Sequence, residues 1–94
     1  LARNLKISLR KYLRSRSNNM TRVPRISTRD ALRVFLKIGY SKARQRGSHI
    51  RLLHPDYPNH KPITLPNHRT IKVGLLQKCI KDSGISIEGF IALL

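Results

Sequence analysis

Apolar and polar residues change period along this chain, and each period predicts an element. Ala31, Leu32, Phe35 and Ile38 fall on one arc at helical spacing, while Arg29, Arg33 and Lys37 fall on the opposite arc. Ser27 stands where an N-cap belongs, Asp30 adds a carboxylate to the first turn, and Gly39 is a natural stop. The period then drops to two. Tyr40–Arg46 and His49–His54 read as extended runs joined by Gly47-Ser48, a two-residue hairpin in which glycine supplies the positive φ. That turn predicts Arg46 opposite His49, Arg44 opposite Arg51 and Lys42 opposite Leu53 on one face. Gln45 with Ile50 and Ala43 with Leu52 take the other face, the one able to pack on a helix. Residues 55–60 are dense in turn formers, so His54 and His60 read as solvated. Lys61–Leu65 predicts a short third strand with prolines at its ends. Lys72–Ser83 predicts a helix with Val73, Leu76, Cys79 and Ile80 as its apolar stripe, Leu75 alongside, and Gly84 as its end. Ser86 caps a last short helix carrying Ile87, Phe90, Ile91 and Leu94. The order α-β-β-β-α-α predicts an α+β domain. Its three-stranded antiparallel sheet is covered by helices on one face and open to water or ligand on the other.

Composition sharpens that picture. Ninety-four residues allow one small domain with a modest core. Hydrophobic content of 39% is too high for full disorder, and no apolar run approaches the roughly 20 residues of a bilayer span. The single cysteine, Cys79, has no internal disulfide partner, which fits a reducing cytoplasm. The formal net charge is +16. Such a chain calls for a polyanion, with nucleic acid the first choice and an anionic membrane surface the second. Residues 1–19 contribute +6, residues 20–51 contribute +8, and residues 52–94 only +2. The first nineteen read as an appendage: Leu1, Leu5, Leu9 and Leu13 recur every fourth position, a linker-like run follows, and the only methionine is Met20. The favoured expectation is a domain over residues 20–94 that starts at Met20, with residues 1–19 foreign to the native protein. A real extension gripping nucleic acid, a partner or a lipid surface is the alternative, and an organelle transit peptide a more distant one.

The absences narrow the chemistry. There is no glycine-rich phosphate loop, and Asp30, Asp56, Asp82 and Glu88 form no obvious pair for two-metal or glycosidase chemistry. The spacing of His49, His54, His60 and His68 matches no strong metal-ligand pattern, so no metal and no cofactor are expected. Ser48 beside His49 lacks a third residue to orient a base, and Cys79 in an apolar stripe reads as a structural thiol. His49 is different. It sits on the predicted polar sheet face among Arg44, Arg46 and Arg51, which would hold a phosphate and favour a neutral imidazole. A neutral imidazole beside a phosphate can take the proton from a ribose 2′-hydroxyl while guanidiniums stabilise the phosphorane. The plainer alternative is a histidine that hydrogen-bonds phosphate in a non-catalytic RNA-binding module. Lys42 and the stripe Arg29, Arg33 and Lys37 are further candidates for positioning RNA.

An ordered series of short motifs then resembles the HicA toxin family. It comprises Arg44-Gln45-Arg46-Gly47-Ser48-His49, His54-Pro55-Asp56, Leu65-Pro66-Asn67-His68, Ile71-Lys72-Val73-Gly74-Leu75-Leu76 and Ile80-Lys81-Asp82-Ser83-Gly84-Ile85-Ser86, then Ile87-Glu88-Gly89-Phe90-Ile91. The resemblance covers about residues 23–94. It implies a double-stranded-RNA-binding-domain-like fold and a small endoribonuclease toxin that cuts messenger RNA. It also implies a HicB-type antitoxin that covers the active site. It places the family's catalytic histidine at His49, after Gly47-Ser48, and a second family histidine at His68, here an auxiliary candidate. Two departures stand out: the loop at residues 56–61 is longer than the family's usual tight turn, and Val73 stands where Lys or Arg is frequent.

Overall fold

The computed structural model describes residues 22–94, so the expectations for residues 1–19 and for Met20 lie outside the described residues. Helix α1 (Thr28–Lys37) begins where Ser27 Oγ accepts the Asp30 N–H at 3.0 Å. It is followed by strands β1 (Ser41–Arg46), β2 (His49–Leu53) and β3 (Ile63–Pro66), then helices α2 (Val73–Ser83) and α3 (Ile87–Ala92). The sheet is antiparallel in the order β1-β2-β3. The expected fold class is therefore the observed one, an α+β domain with three antiparallel strands and helices.

Alternation along the central strand decides which sheet face is covered. Ile50 and Leu52 of β2 are buried while His49, Arg51 and Leu53 are exposed. On β3, Ile63 and Leu65 join the buried side. Against them pack Ala31, Val34 and Phe35 of α1, Leu76 and Ile80 of α2, and Phe90 of α3. Phe35 is the hub, edge-on to Tyr40 at 5.9 Å and tilted against Phe90 at 5.4 Å between ring centroids. Ser86 Oγ caps α3 through the Gly89 N–H, and Gly84 ends α2 in the left-handed region at φ 81°. Val73, Leu75 and Ile91, expected in the apolar stripes, lie at the exposed margins of their helices, and Leu94, expected in the last helix, is exposed beyond its end.

Three expectations need correction. The hairpin register holds from Arg46–His49 through Arg44–Arg51, then shifts between Arg44 and Lys42. A bulge at Ala43 pairs Lys42 with Leu52 instead of Leu53 and turns Lys42 to the helix-bearing side, leaving Ala43 exposed. The third strand begins at Ile63, not Lys61. The Lys61 N–H is drawn to Asp82 O at 2.9 Å, and its carbonyl accepts the Tyr40 hydroxyl at 2.7 Å. Finally, His54 and His60 are half-buried and stacked, with ring centroids 4.1 Å apart. His54 Nδ1 accepts the Asp56 N–H at 3.0 Å, so its Nε2 donates to Ile38 O at 2.8 Å. His60 Nδ1 donates to Ser83 O at 2.6 Å, and Tyr40 lies edge-on to both rings. The two imidazoles thus tie the ends of α1 and α2 to the β2–β3 loop, which contains a cis Tyr57–Pro58 bond.

Candidate nucleic-acid interface

The open sheet face is organised by the hairpin turn. Gly47 has φ 58° and Ser48 does not share a positive φ, the pattern of a type II′ turn whose twist suits two antiparallel strands. Ser48 O accepts the Asn67 N–H at 2.6 Å, which fixes the turn to the segment leaving β3. His49 is the first residue of the central strand, with Arg46 of β1 on one side and Pro66 of β3 on the other. One rung further, Arg44 faces Arg51, and Arg51 donates to Thr64 Oγ1 at 2.8 Å. Like charges directly opposite repel, so the Arg44–Arg51 rung works against the fold and is relieved by any bound anion. Arg44, Arg46, His49 and Arg51 thus share one exposed face, as the alternation predicts, and Ser48 is exposed in the turn beside them.

Helix α2 turns that surface into a groove. It lies along the outer edge of β3, where the Cys79 thiol reaches Thr64 O at 3.8 Å. Its inner flank (Leu76, Ile80, Ser83) is buried, and its other flank borders the open face. The result is a groove of about 420 Å³. His49, Arg51, Thr64 and Pro66 form its sheet wall, and Leu75, Lys78, Cys79 and Asp82 its helix wall. Burial, reinforced by Asp82 and opposed by Lys78, pushes the Cys79 thiol up to about 11, which keeps it protonated and poorly nucleophilic. The Tyr40 hydroxyl is likewise raised, first by burial and then by Asp82 and Cys79. No sequence pattern singled out Lys78, Asp82 or Thr64 for this site. Their only signal is the path of α2 past β3.

The remaining candidates are divided by the sheet. Arg29, Lys42 and His68 line a second groove of about 560 Å³, together with Arg69 and the start of α1. Lys42 Nζ donates to Gln45 Oε1 there at 3.4 Å. This groove is on the helix-bearing side, so His68 does not share His49's groove. It lies next to the same turn, because Asn67 follows the His49–Pro66 rung. Arg33 and Lys37 stand apart on α1: Arg33 faces Asp30 at 3.7 Å, and Lys37 Nζ donates to Leu93 O at 2.8 Å. Among the described residues no three His, Cys, Asp or Glu side chains gather as metal ligands, and no helix is long and apolar enough to cross a membrane.

No curated protein and no solved structure gives a significant match to this sequence. The family model for the HicA toxin of bacterial toxin–antitoxin systems does match, over residues 28–85. The match starts at the first residue of α1, takes in all three strands, the Gly47-Ser48-His49 element and α2, and stops one residue past the glycine that ends that helix. A matched span of more than half the chain, laid over the expected strands and turn, makes this protein a member of the HicA toxin family.

Proposed function

We propose that this HicA toxin is a metal-independent endoribonuclease with His49 as its general base, cutting messenger RNA and so arresting translation. Membership of the family makes the chain the toxin of a toxin–antitoxin pair, and toxins of this family are generally mRNA-cleaving. The observation that carries the finer reading is the setting of His49. It is exposed at the rim of a groove, one residue past the turn, with Arg46 across the rung and Arg51 in the same wall. In this reading His49 removes the 2′-hydroxyl proton, and the 2′-oxygen attacks the adjacent phosphorus. Arg44, Arg46 and Arg51 hold the phosphate and neutralise charge that develops on it. Ser48 offers a hydroxyl at the turn. Arg29 and Lys42, with His68 as an auxiliary, would take RNA passing the turn into the second groove, while Arg33 and Lys37 contribute more distant positive charge. A HicB-type antitoxin would silence the toxin in the cytoplasm by covering His49.

The test is cleavage of a labelled RNA in excess chelator. Wild type should cut it and leave a 2′,3′-cyclic phosphate. His49→Ala should be slower by about 10²–10⁴-fold, the usual contribution of a general base. An RNA with 2′-deoxyribose at the scissile position should resist. Unchanged cleavage by His49→Ala removes His49 from the mechanism, loss of wild-type activity with chelator argues for a metal, and clean cutting of the deoxy substrate refutes 2′-hydroxyl attack. Salt-sensitive binding with no turnover would instead support the RNA-binding module.

A further inference from the structure

Cleavage by a 2′-hydroxyl needs two proton transfers, and they occur on opposite sides of phosphorus. The 2′-oxygen enters in line with the departing 5′-oxygen, so a base on one wall of a groove calls for an acid on the other. His49 stands on the sheet wall of its groove, and the opposite wall is α2. His68, the other histidine near the turn, lines the second groove instead.

The helix wall offers few protons. Leu75 has none to give. Cys79 is 4% exposed and its thiol is directed at Thr64 O. Asp82 presents a carboxylate, an acceptor. Arg51, on the sheet wall, is engaged with Thr64 Oγ1, and a guanidinium holds its protons too tightly to serve as an acid. Lys78 is exposed at the lip of the groove. Neither Lys78 nor Asp82, one helical turn beyond it, belongs to the ion pairs Arg33–Asp30 and His60–Asp56, and no ion pair between the two is seen, so Asp82 does not hold the ammonium. The charge of Lys78 is nonetheless felt inside the groove, where it opposes the upward push on the Cys79 thiol.

We propose that Lys78 is the general acid for the leaving group, a role that rests on the ribonuclease reading of the same groove. As His49 takes the 2′-hydroxyl proton, the O2′–P bond forms and the P–O5′ bond breaks. The Lys78 ammonium then passes a proton to the 5′-oxygen, releasing a 5′-hydroxyl and a 2′,3′-cyclic phosphate. Lys78 is left as an amine that water reprotonates, and His49 returns its proton to water. An ammonium is a much weaker acid than an imidazolium but a far stronger one than the alcohol it must form, so the transfer runs downhill as the bond breaks.

The experiment uses two RNAs matched at a site the wild type cuts, one with the natural 5′-oxygen and one with a 5′-bridging sulfur, a leaving group that needs no proton. Lys78→Ala should cut the oxygen substrate about 10²–10³-fold more slowly than wild type. It should cut the sulfur substrate within about threefold of wild type, since no acid is needed there. Lys78→Arg keeps the charge without an easily transferred proton and should behave like Lys78→Ala, whereas His49→Ala should slow both substrates. Equal losses on the two substrates would make Lys78 a phosphate ligand and overturn the assignment. Rescue by arginine, or no loss on either substrate, would overturn it as well. Should the wild type cut no RNA, the ribonuclease reading itself falls and takes this role with it, whereas cutting by His49→Ala at the wild-type rate would remove His49 as the base and with it the opposite-wall assignment of Lys78.

Discussion

Two glycines of α2 should respond in opposite directions to the same added methyl group. Gly84 ends the helix at φ 81°, and a Cβ built there lies 2.5 Å from the Asn59 carbonyl oxygen. An L-residue in the left-handed region costs about 1–2 kcal/mol. The contact is about 0.9 Å short of ordinary van der Waals distance, which begins at 3.4 Å, and the obstacle is backbone that no rotamer can move aside. Opening that gap pulls the β2–β3 loop off the end of α2, where Lys61 N–H meets Asp82 O at 2.9 Å and His60 Nδ1 meets Ser83 O at 2.6 Å. Each of those bonds is worth about 1 kcal/mol. Gly84→Ala should therefore destabilise by about 2–4 kcal/mol, and each kcal/mol lowers the midpoint by roughly 4–8 °C in a domain this small. Gly74, in the first turn of the same helix, is exposed and has nothing within 4 Å of an added Cβ. Gly74→Ala should stabilise by about 0.5–1 kcal/mol, the helical preference of alanine. Gly47→Ala isolates the conformational cost, because φ is 58° with open space around it, and should lose only about 1–2 kcal/mol. Urea unfolding followed by circular dichroism measures all three. A loss below about 0.5 kcal/mol for Gly84→Ala would refute the steric argument, as would a shift of Gly74→Ala in the same direction.

Stability should also decline in alkali. The Tyr40 hydroxyl and the Cys79 thiol both titrate higher in the folded chain than in the unfolded one, so their contribution is complete below their ordinary values. For Cys79 it is lost as pH rises from about 9 towards 11. Tyr40→Phe should lower stability at neutral pH by about 1 kcal/mol, the bond to Lys61 O, yet flatten the alkaline decline. A wild-type midpoint constant from pH 8 to 11 would contradict this. In RNA binding, Arg44→Gln should weaken affinity and reduce the slope of log K against log salt by about 0.7, the loss of one phosphate contact on a single strand. Arg33→Gln, whose guanidinium faces Asp30, should change the slope less. Equal changes for the two variants would move the RNA path onto α1.

What the sequence disclosed and what it hid follow from where burial acts. The rungs next to Gly47-Ser48 are legible because turn length sets them, and β2 is legible because Ile50 and Leu52 must face the core. Register is lost at Ala43 because every residue of β1 is exposed, so no buried side chain penalises a slip. Gly39 and Gly84 are legible only as helix ends, and the two histidines only as solvated residues at a loop. Their meeting depends on Tyr40 and on residues that α1 and α2 bring from opposite ends of the domain. The candidate base is thus visible from a local turn. The opposite wall is not, since Lys78 and Asp82 look like ordinary surface residues of an amphipathic helix until α2 is laid along β3.

The two outer margins of the sheet are guarded in different ways, and this bears on how two copies of the chain would meet. On β3 the outward carbonyls of Thr64 and Pro66 are occupied by the Cys79 thiol and the Thr28 hydroxyl, which leaves little for an incoming strand. On β1 no strand among the described residues pairs with the outer backbone, but Lys42, Arg44 and Arg46 line it and the bulge at Ala43 breaks its straight run. A second copy docking there would bring cation against cation across a kinked seam, the device by which natural sheets resist edge-to-edge aggregation. The same positive charge that makes this face a candidate for binding a polyanion therefore also disfavours pairing of two copies along this edge.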